Sequence, residues 1–524
     1  MKTKLLALFL AMVMVSAILP LTASAEADRP TLSYWCLFEN NASKSVDNYA
    51  DLPLYKELMD RLNINITFTH PPTGMDREQF SLLIAGQTLP DIIEYDWYTR
   101  YPGGPQAAID DGVIISLNEY LENGFMPNLA RVFENDPDLA ATCRTYEGNY
   151  YVAPFIRSDE LMIQKGGGPT VRLDVLQKLG LDLPETIADW EEMFAKAQEN
   201  GYEHPFIARY DDLHGSSMSS SESVFCGAYG VYYSFYVEDG QIKFGPIEPG
   251  YKDYLAKMAE WYAKGYIDPD FLTLDNSGLD GKMTGDVCMS TYRSPDSGIG
   301  VWTTNMQATN PDVIFCAAKF PVLNEGDTRY FANMNLRYQA AYSAAITTSC
   351  KDIEAALKLL DYAYSDEGRL LYNFGVEGIS FEYDENGTPQ FTDLIRNNPD
   401  GLTLKEAMIL WCRNTAGGPF EKDAGPILAQ RVNNKYQYDA PFFWNASVDW
   451  SKNLPRMVYS GEENSELNDI MNEIDTILEE MTVKIIIGDQ PVDAYESYVD
   501  TIKNAGIEDA IQIVQTAYNR MNSK

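Results

Sequence analysis

The sequence predicts an α/β protein folded as two lobes, and three observations carry that expectation. At 524 residues the chain exceeds what one hydrophobic core supports. Between Thr31 and Tyr95, short segments that alternate apolar and polar residues are interleaved with segments whose apolar residues recur at helical spacing. That is the pattern of a sheet with crossover helices. No repeat or low-complexity tether separates the halves, so short crossings between interleaved segments are expected to join them.

Met1–Ala25 has the build of an export signal. Lys2 and Lys4 precede the apolar run Leu5–Leu21, which Pro20 interrupts, and Ala23-Ser24-Ala25 supplies small residues for cleavage after Ala25. No later apolar run reaches the roughly 18 residues that a membrane span needs. Export to the outside of the cell or to its surface is therefore expected.

Thr31–Leu37 reads as a strand. Leu54, Tyr55, Leu58, Met59 and Leu62 share a helix face, and Ile64, Ile66 and Phe68 alternate as a second strand. Phe80, Leu83 and Ile84 mark another helix, and Asp91–Tyr95 is a short buried strand after Pro90. The alternation predicts parallel pairing. In open sheets of this kind ligands lie beyond the carboxyl ends of the strands, which points to Trp35–Asn40 and Tyr95–Tyr98. Tyr146–Arg157 combines a Glu147-Gly148 turn, a β-prone Tyr150-Tyr151-Val152 and Pro154. It reads as one strand of a hinge, where the chain first leaves one half for the other.

In the second half, Leu173, Leu176 and Leu179 lie on one helix face that Gly180 ends. Thr186 and Asp189 form a capping box for the stripe Ile187, Trp190 and Phe194, and Gly201 follows its end. Tyr251, Tyr254, Leu255, Met258, Trp261 and Tyr262 form a further face. Asp286–Thr291 and Gln339–Ile346 read as strands, and Asp352–Tyr364 as a helix. Apolar stripes over 467–481, 492–499 and 507–521 predict a helical C-terminus.

Composition excludes several functions. Lys plus Arg number 40 against 77 acids, a net charge of −37 that is incompatible with a nucleic-acid backbone as partner. Seven cysteines without a CxxC pair and only three histidines argue against a zinc site. Asp275–Asp286 is rich in oxygen ligands, but Leu279 occupies the fifth position of an EF-hand loop, so the stretch reads as a polar loop. Asp384–Gly387 reads as a hairpin turn. No GxSxG, HExxH or P-loop motif is present, so no catalytic residue, metal or cofactor is assigned. A carboxylate pair of the glycosidase kind carries little information among 77 acids.

Several short motifs occur in a specific order. They are Leu89-Pro90-Asp91-Ile92-Ile93, Pro127-Asn128-Leu129, the EGNYYVAPF stretch from Glu147, and VRLDVLQKLGLDLPET from Val171. Ser365-Asp366-Glu367-Gly368, Phe374–Gly378, Ile486-Ile487-Gly488, Tyr495–Gly506 and Gln515–Arg520 follow. Together they resemble the extracellular solute-binding proteins of ABC transporters, of the long family 1 type associated with sugar uptake, over nearly the whole mature chain. The resemblance implies a periplasmic-binding-protein-like fold with discontinuous lobes, a hinge and a central ligand cleft. It places residues 26–154 and 322–378 in the first lobe, and 155–321 with most of 379–524 in the second. It implies an oligosaccharide ligand, permease subunits as partners and a monomeric protein without enzymatic activity. A peptide or other small solute is the alternative ligand, and a secreted glycosidase the third reading. The family is usually lipid-anchored through a cysteine at the cleavage site, whereas the first cysteine here is Cys36, with no lipobox before it.

Sugars present C–H faces that aromatic rings cover and hydroxyl rims that carboxylates, amides and Arg bind. Trp190 and Trp261 fall on helix stripes and are expected in the core. Trp35, Trp97, Trp302 and Trp444 fall in loops or at strand ends and are the aromatic candidates. Asp96, Arg157, Arg293, Arg337 and Glu377 are the polar ones.

Overall fold

The computed structural model describes residues 29–158, 167–214, 223–331, 337–446 and 448–522. The expected leader lies outside the described residues. Among the described residues no helix is long and apolar enough to cross a membrane.

Two main sheets organise the chain. In chain order the strands are β1 (Thr31–Trp35), β2 (Asn65–Thr69), β3 (Ile92–Glu94), β4 (Ala153–Arg157), β5 (Gly168–Arg172), β6 (Ser290–Arg293), β7 (Phe315–Ala317), β8 (Tyr338–Ile346) and β9 (Glu421–Lys422). A six-stranded sheet has the order β9-β4-β8-β3-β1-β2, and a three-stranded sheet has the order β6-β5-β7. The expected parallel pairing holds for β1 with β2 and with β3, where Tyr34 lies opposite Phe68 on one side and Ile92 on the other. It does not extend to the whole molecule. β8 enters from the second half of the chain and runs antiparallel to both β3 and β4. The smaller sheet is antiparallel throughout.

Local signals account for the elements that support these sheets. Pro53 opens the helix Pro53–Leu62, and Asn63 closes it in the left-handed conformation (φ 55°). Gly180 ends Leu173–Leu179 in the same way, at φ 66°. Thr186 and Asp189 form the expected capping box at the start of Ile187–Glu199. The acidic stretch from Asp275 differs from the expectation of a loop. The Asp275 side chain accepts the Gly278 N–H and so caps a helix, Asn276–Thr284. The turn at Asp384 is as expected. It joins the paired strands Phe381–Tyr383 and Pro389–Phe391, with Gly387 at φ 76°.

Two large apolar cores are built, each from separated pieces of chain. One draws on residues from Leu32 to Ile156 and from Tyr338 to Tyr372, with Ile409 and Phe420. The other draws on Val171 to Phe331, then Ala440, Trp444 and the C-terminal helices as far as Val514. Residues 379–422 are therefore not part of the second core, where the sequence expectation placed most of 379–524. β9 pairs with β4, and Arg413 is tied to Glu94 of the first sheet. The chain returns to the second core only after Lys422.

The hinge stretch also ends later than its turn suggested. Pro154 lies inside β4, its carbonyl accepting the Tyr364 hydroxyl at 2.5 Å. The chain leaves the first sheet after Arg157 and reaches the second at Gly168. A strap over Trp450–Tyr459 adds a contact between the lobes. The Arg456 guanidinium sits over the rings of Tyr98 (4.1 Å) and Tyr338 (4.7 Å). The Tyr98 hydroxyl donates to the Met457 carbonyl at 3.3 Å.

Candidate functional site

The carboxyl edge of the first sheet carries two kinds of charge. Glu94, at the end of β3, is buried and fully engaged. It accepts the Tyr34 hydroxyl at 2.8 Å and the Arg413 guanidinium at 2.8 Å. Arg413 also donates to the Tyr55 hydroxyl and the Gly417 carbonyl, and lies over the Tyr49 ring at 5.1 Å. Burial opposes the charge on Arg413, but Glu94 outweighs it and holds the guanidinium protonated. Both side chains are 3% exposed, which makes this pair structural.

The second kind is accessible. In β9, parallel to β4, Lys422 stands opposite Arg157 and Glu421 opposite Ile156. Side chains alternate across a strand, so Lys422 and Arg157 share one face and Glu421 takes the other. Glu421 lines a polar cavity of 160 Å³ with Arg131, Asp136, Arg337 and Arg369. On the Lys422 side, Arg157, Lys405 and Glu39 are near enough to act on the amine. Burial and then Arg157 push it down to about 8. Lys405 also acts on Asp296, in the turn after β6, and so connects this edge with the second lobe. Asp296 receives Arg431 through two bonds of 2.8 Å and the Gln437 amide at 3.1 Å. Burial raises the Asp296 carboxyl, but Arg431 overcomes it and holds it below the usual range.

An irregularity in β8 adds an aromatic group. The register slips between Gln339 and Ala344. Within that bulge the Ser343 hydroxyl accepts the Phe155 N–H at 3.1 Å and the Ser343 carbonyl accepts the Tyr95 N–H at 3.0 Å. Tyr342 is turned outward, 36% exposed, with its ring against Gly417. Any Cβ at Gly417 would meet that ring at 2.2 Å, so the position requires glycine. Glu39, Glu94 and Arg413 all act on the Tyr342 hydroxyl, which burial raises first. Glu39, Arg157, Lys405 and Lys422 gather at this edge with Tyr342, and Lys405 is near enough to Asp296 to act on it. The cluster offers an exposed ring beside hydrogen-bonding groups of both signs.

Of the nine candidate residues, only Arg157 belongs to this cluster. The four candidate tryptophans are core residues. Trp35 packs edge-on to Tyr95 at 5.3 Å. Trp97 is completely buried, because Asp96 caps a short helix, Trp97–Arg100, that turns the indole inward. Its N–H donates to the Ile93 carbonyl at 3.2 Å. Trp302 donates to Asp280 at 3.0 Å and packs on Phe315. Trp444 donates to the Pro169 carbonyl at 3.1 Å and lies flat against Gly168. Asp96 spends its carboxylate on the Tyr98 and Thr99 N–H groups, each at 3.1 Å. Arg293 is bound to Asp280 at 3.1 Å. Arg337 pairs with Asp136 at 2.7 Å in the cavity on the Glu421 face. Glu377 is exposed in the turn whose Gly378 N–H bonds the Phe381 carbonyl. The half-buried tryptophans are Trp411 and Trp450, neither of which the sequence singled out.

The model of the family described as bacterial extracellular solute-binding protein matches residues 46–370. The chain belongs to that family. The fructooligosaccharide ABC transporter substrate-binding protein FusA of Streptococcus pneumoniae is 22% identical over 472 residues, 84% of this chain and 82% of FusA. Lipoprotein LipO of Bacillus subtilis is 23% identical over 364 residues, 68% of either chain. Among solved structures, an HMO-binding, ABC-transporter-associated solute-binding protein of Bifidobacterium longum infantis superposes with a TM-score of 0.73. The identity is 16%, covering 94% of this chain and 99% of that one. The fold is that of two-lobed solute-binding proteins.

Proposed function

We propose that this protein is the extracellular substrate-binding component of an ABC importer, capturing an oligosaccharide between its lobes and delivering it to the membrane permease. The observation that carries this reading is the match to the fructooligosaccharide-binding FusA over 84% of this chain and 82% of FusA. The exposed Tyr342 ring among charged and amide groups supports it, since that combination suits a sugar's C–H face and hydroxyl rim. The protein acts as a monomeric carrier and leaves its ligand chemically unchanged. Its net charge of −37 speaks against nucleic acid as a second partner.

A thermal-shift screen of glycans and peptides tests the reading. Stabilisation by at least one glycan is expected, with release of no reducing ends on prolonged incubation. A smaller radius of gyration at saturation is expected in solution scattering, as the ligand favours the closed form through its better contacts there. Stabilisation by peptides alone would replace the oligosaccharide reading with the peptide one.

A further inference from the structure

Among the described residues the half-buried lysines are consistently paired with acids. Lys282 meets Asp268 at 2.7 Å, Lys452 meets Glu238 at 2.7 Å, and Lys257 meets Glu191 at 3.2 Å. Lys422 departs from that rule. Its amine makes a single hydrogen bond among the described residues, a long 3.5 Å contact to the Ala416 carbonyl, and no ion pair within 4.0 Å. In a chain with 77 acids and 40 bases, a half-buried lysine lacking a carboxylate is the exception. Its neighbours make the exception sharper. Arg157 stands opposite it in register, and Lys405 adds a second positive charge from the helix Leu404–Trp411. Glu39 is a carboxylate acting on Lys422 from the other side, and the Cys412 thiol is neutral, its pKa pushed up to about 12 by burial.

We propose that the interlobe site takes an oligosaccharide bearing an acidic group, a carboxylate or a sulfate, which Lys422 receives beside Arg157. The proposal rests on the oligosaccharide reading above and goes beyond the fructooligosaccharides of FusA. An anion placed there supplies the counter-charge that Lys422 lacks among the described residues, in a half-buried setting where a charge-assisted hydrogen bond is strong. Tyr342 adds the flat apolar face that a sugar ring uses and a free inorganic anion does not.

The test is calorimetric titration of the mature protein with acidic and neutral glycans of matched length. Oligogalacturonate with its methyl ester serves for carboxylate, and sulfated with unsulfated chondroitin disaccharides for sulfate. The acidic member of at least one pair is expected to bind at least about tenfold more tightly than its neutral partner. Lys422→Met should abolish that preference and Lys422→Arg should restore it. Affinity for the acidic glycan should fall about tenfold between pH 7 and pH 9, as an amine titrating near 8 loses its proton while Arg157 keeps its charge. Neutral glycans bound as tightly as acidic ones, with Lys422→Met bound normally, would overturn the inference and leave the oligosaccharide function standing. Binding of peptides alone would overturn both.

Discussion

Glu94 with Arg413, and Lys422 with Arg157, stand at the same edge of one sheet and have opposite surroundings. The first pair is sealed under tyrosines, with both Glu94 oxygens and both terminal Arg413 nitrogens hydrogen-bonded. Among the described residues Lys422 shares its face with another cation and holds only a distant carbonyl. The lesson is that charge at a strand end is not in itself a binding signal. A charge whose partners are complete stabilises the fold, and one left short of partners is available to a ligand.

The largest expected effect breaks the sealed pair. Arg413→Met strands Glu94 in the core and should cost about 3–5 kcal/mol in urea unfolding. Adding Glu94→Gln should recover much of that loss, because no uncompensated charge then remains. A cost below about 1 kcal/mol for Arg413→Met would erase the contrast. Trp97→Ala should follow at about 3 kcal/mol, with glycan affinity unchanged, as expected of a core indole. Lost affinity in the folded variant would return Trp97 to the site.

Lys422→Met should act in the opposite direction, raising stability by about 1–2 kcal/mol at pH 7 while weakening acidic ligands. The sign follows from linkage. The folded amine titrates near 8, below its ordinary 10.5, so the folded state binds fewer protons than the unfolded state between those values. The burial penalty is complete below pH 8 and relieved as pH rises toward 10.5, so the gap between variant and wild type should close over that interval in thermal melts. The smallest effect is expected at Asp296. Asp296→Asn should cost about 1 kcal/mol at neutral pH. Since Arg431 holds the Asp296 carboxyl below its usual range, that contribution is present above the ordinary carboxylate pKa. It is lost as pH falls through the folded value, where the two proteins should melt alike.

Much of both lobes was legible because the signals are local. Alternation at Ile64, Ile66 and Phe68, the stop at Gly180 and the Thr186–Asp189 box each act within a few residues. The site was not legible, because Glu39, Asp296, Tyr342, Lys405 and Lys422 come from distant segments brought together by register. Tyr342 faces outward only because β8 slips against β4, and a slip of that kind leaves no periodic trace. Trp97 failed for a local reason that could have been read. An Asp followed by a short helix is a cap, and a cap redirects the next side chain. A position at a strand end or in a loop does not separate a tryptophan that faces a ligand from one that packs inward, and large rings are most useful to folding in the core.

All seven cysteines are free and buried, and burial raises every one of their thiols above the ordinary value. Thiol reagents attack the thiolate, so the native surface is chemically silent toward maleimides at neutral pH. A single cysteine introduced at Tyr342 would then be the one point that takes a dye, and the fold could serve as a reporter whose fluorescence follows closure on a sugar.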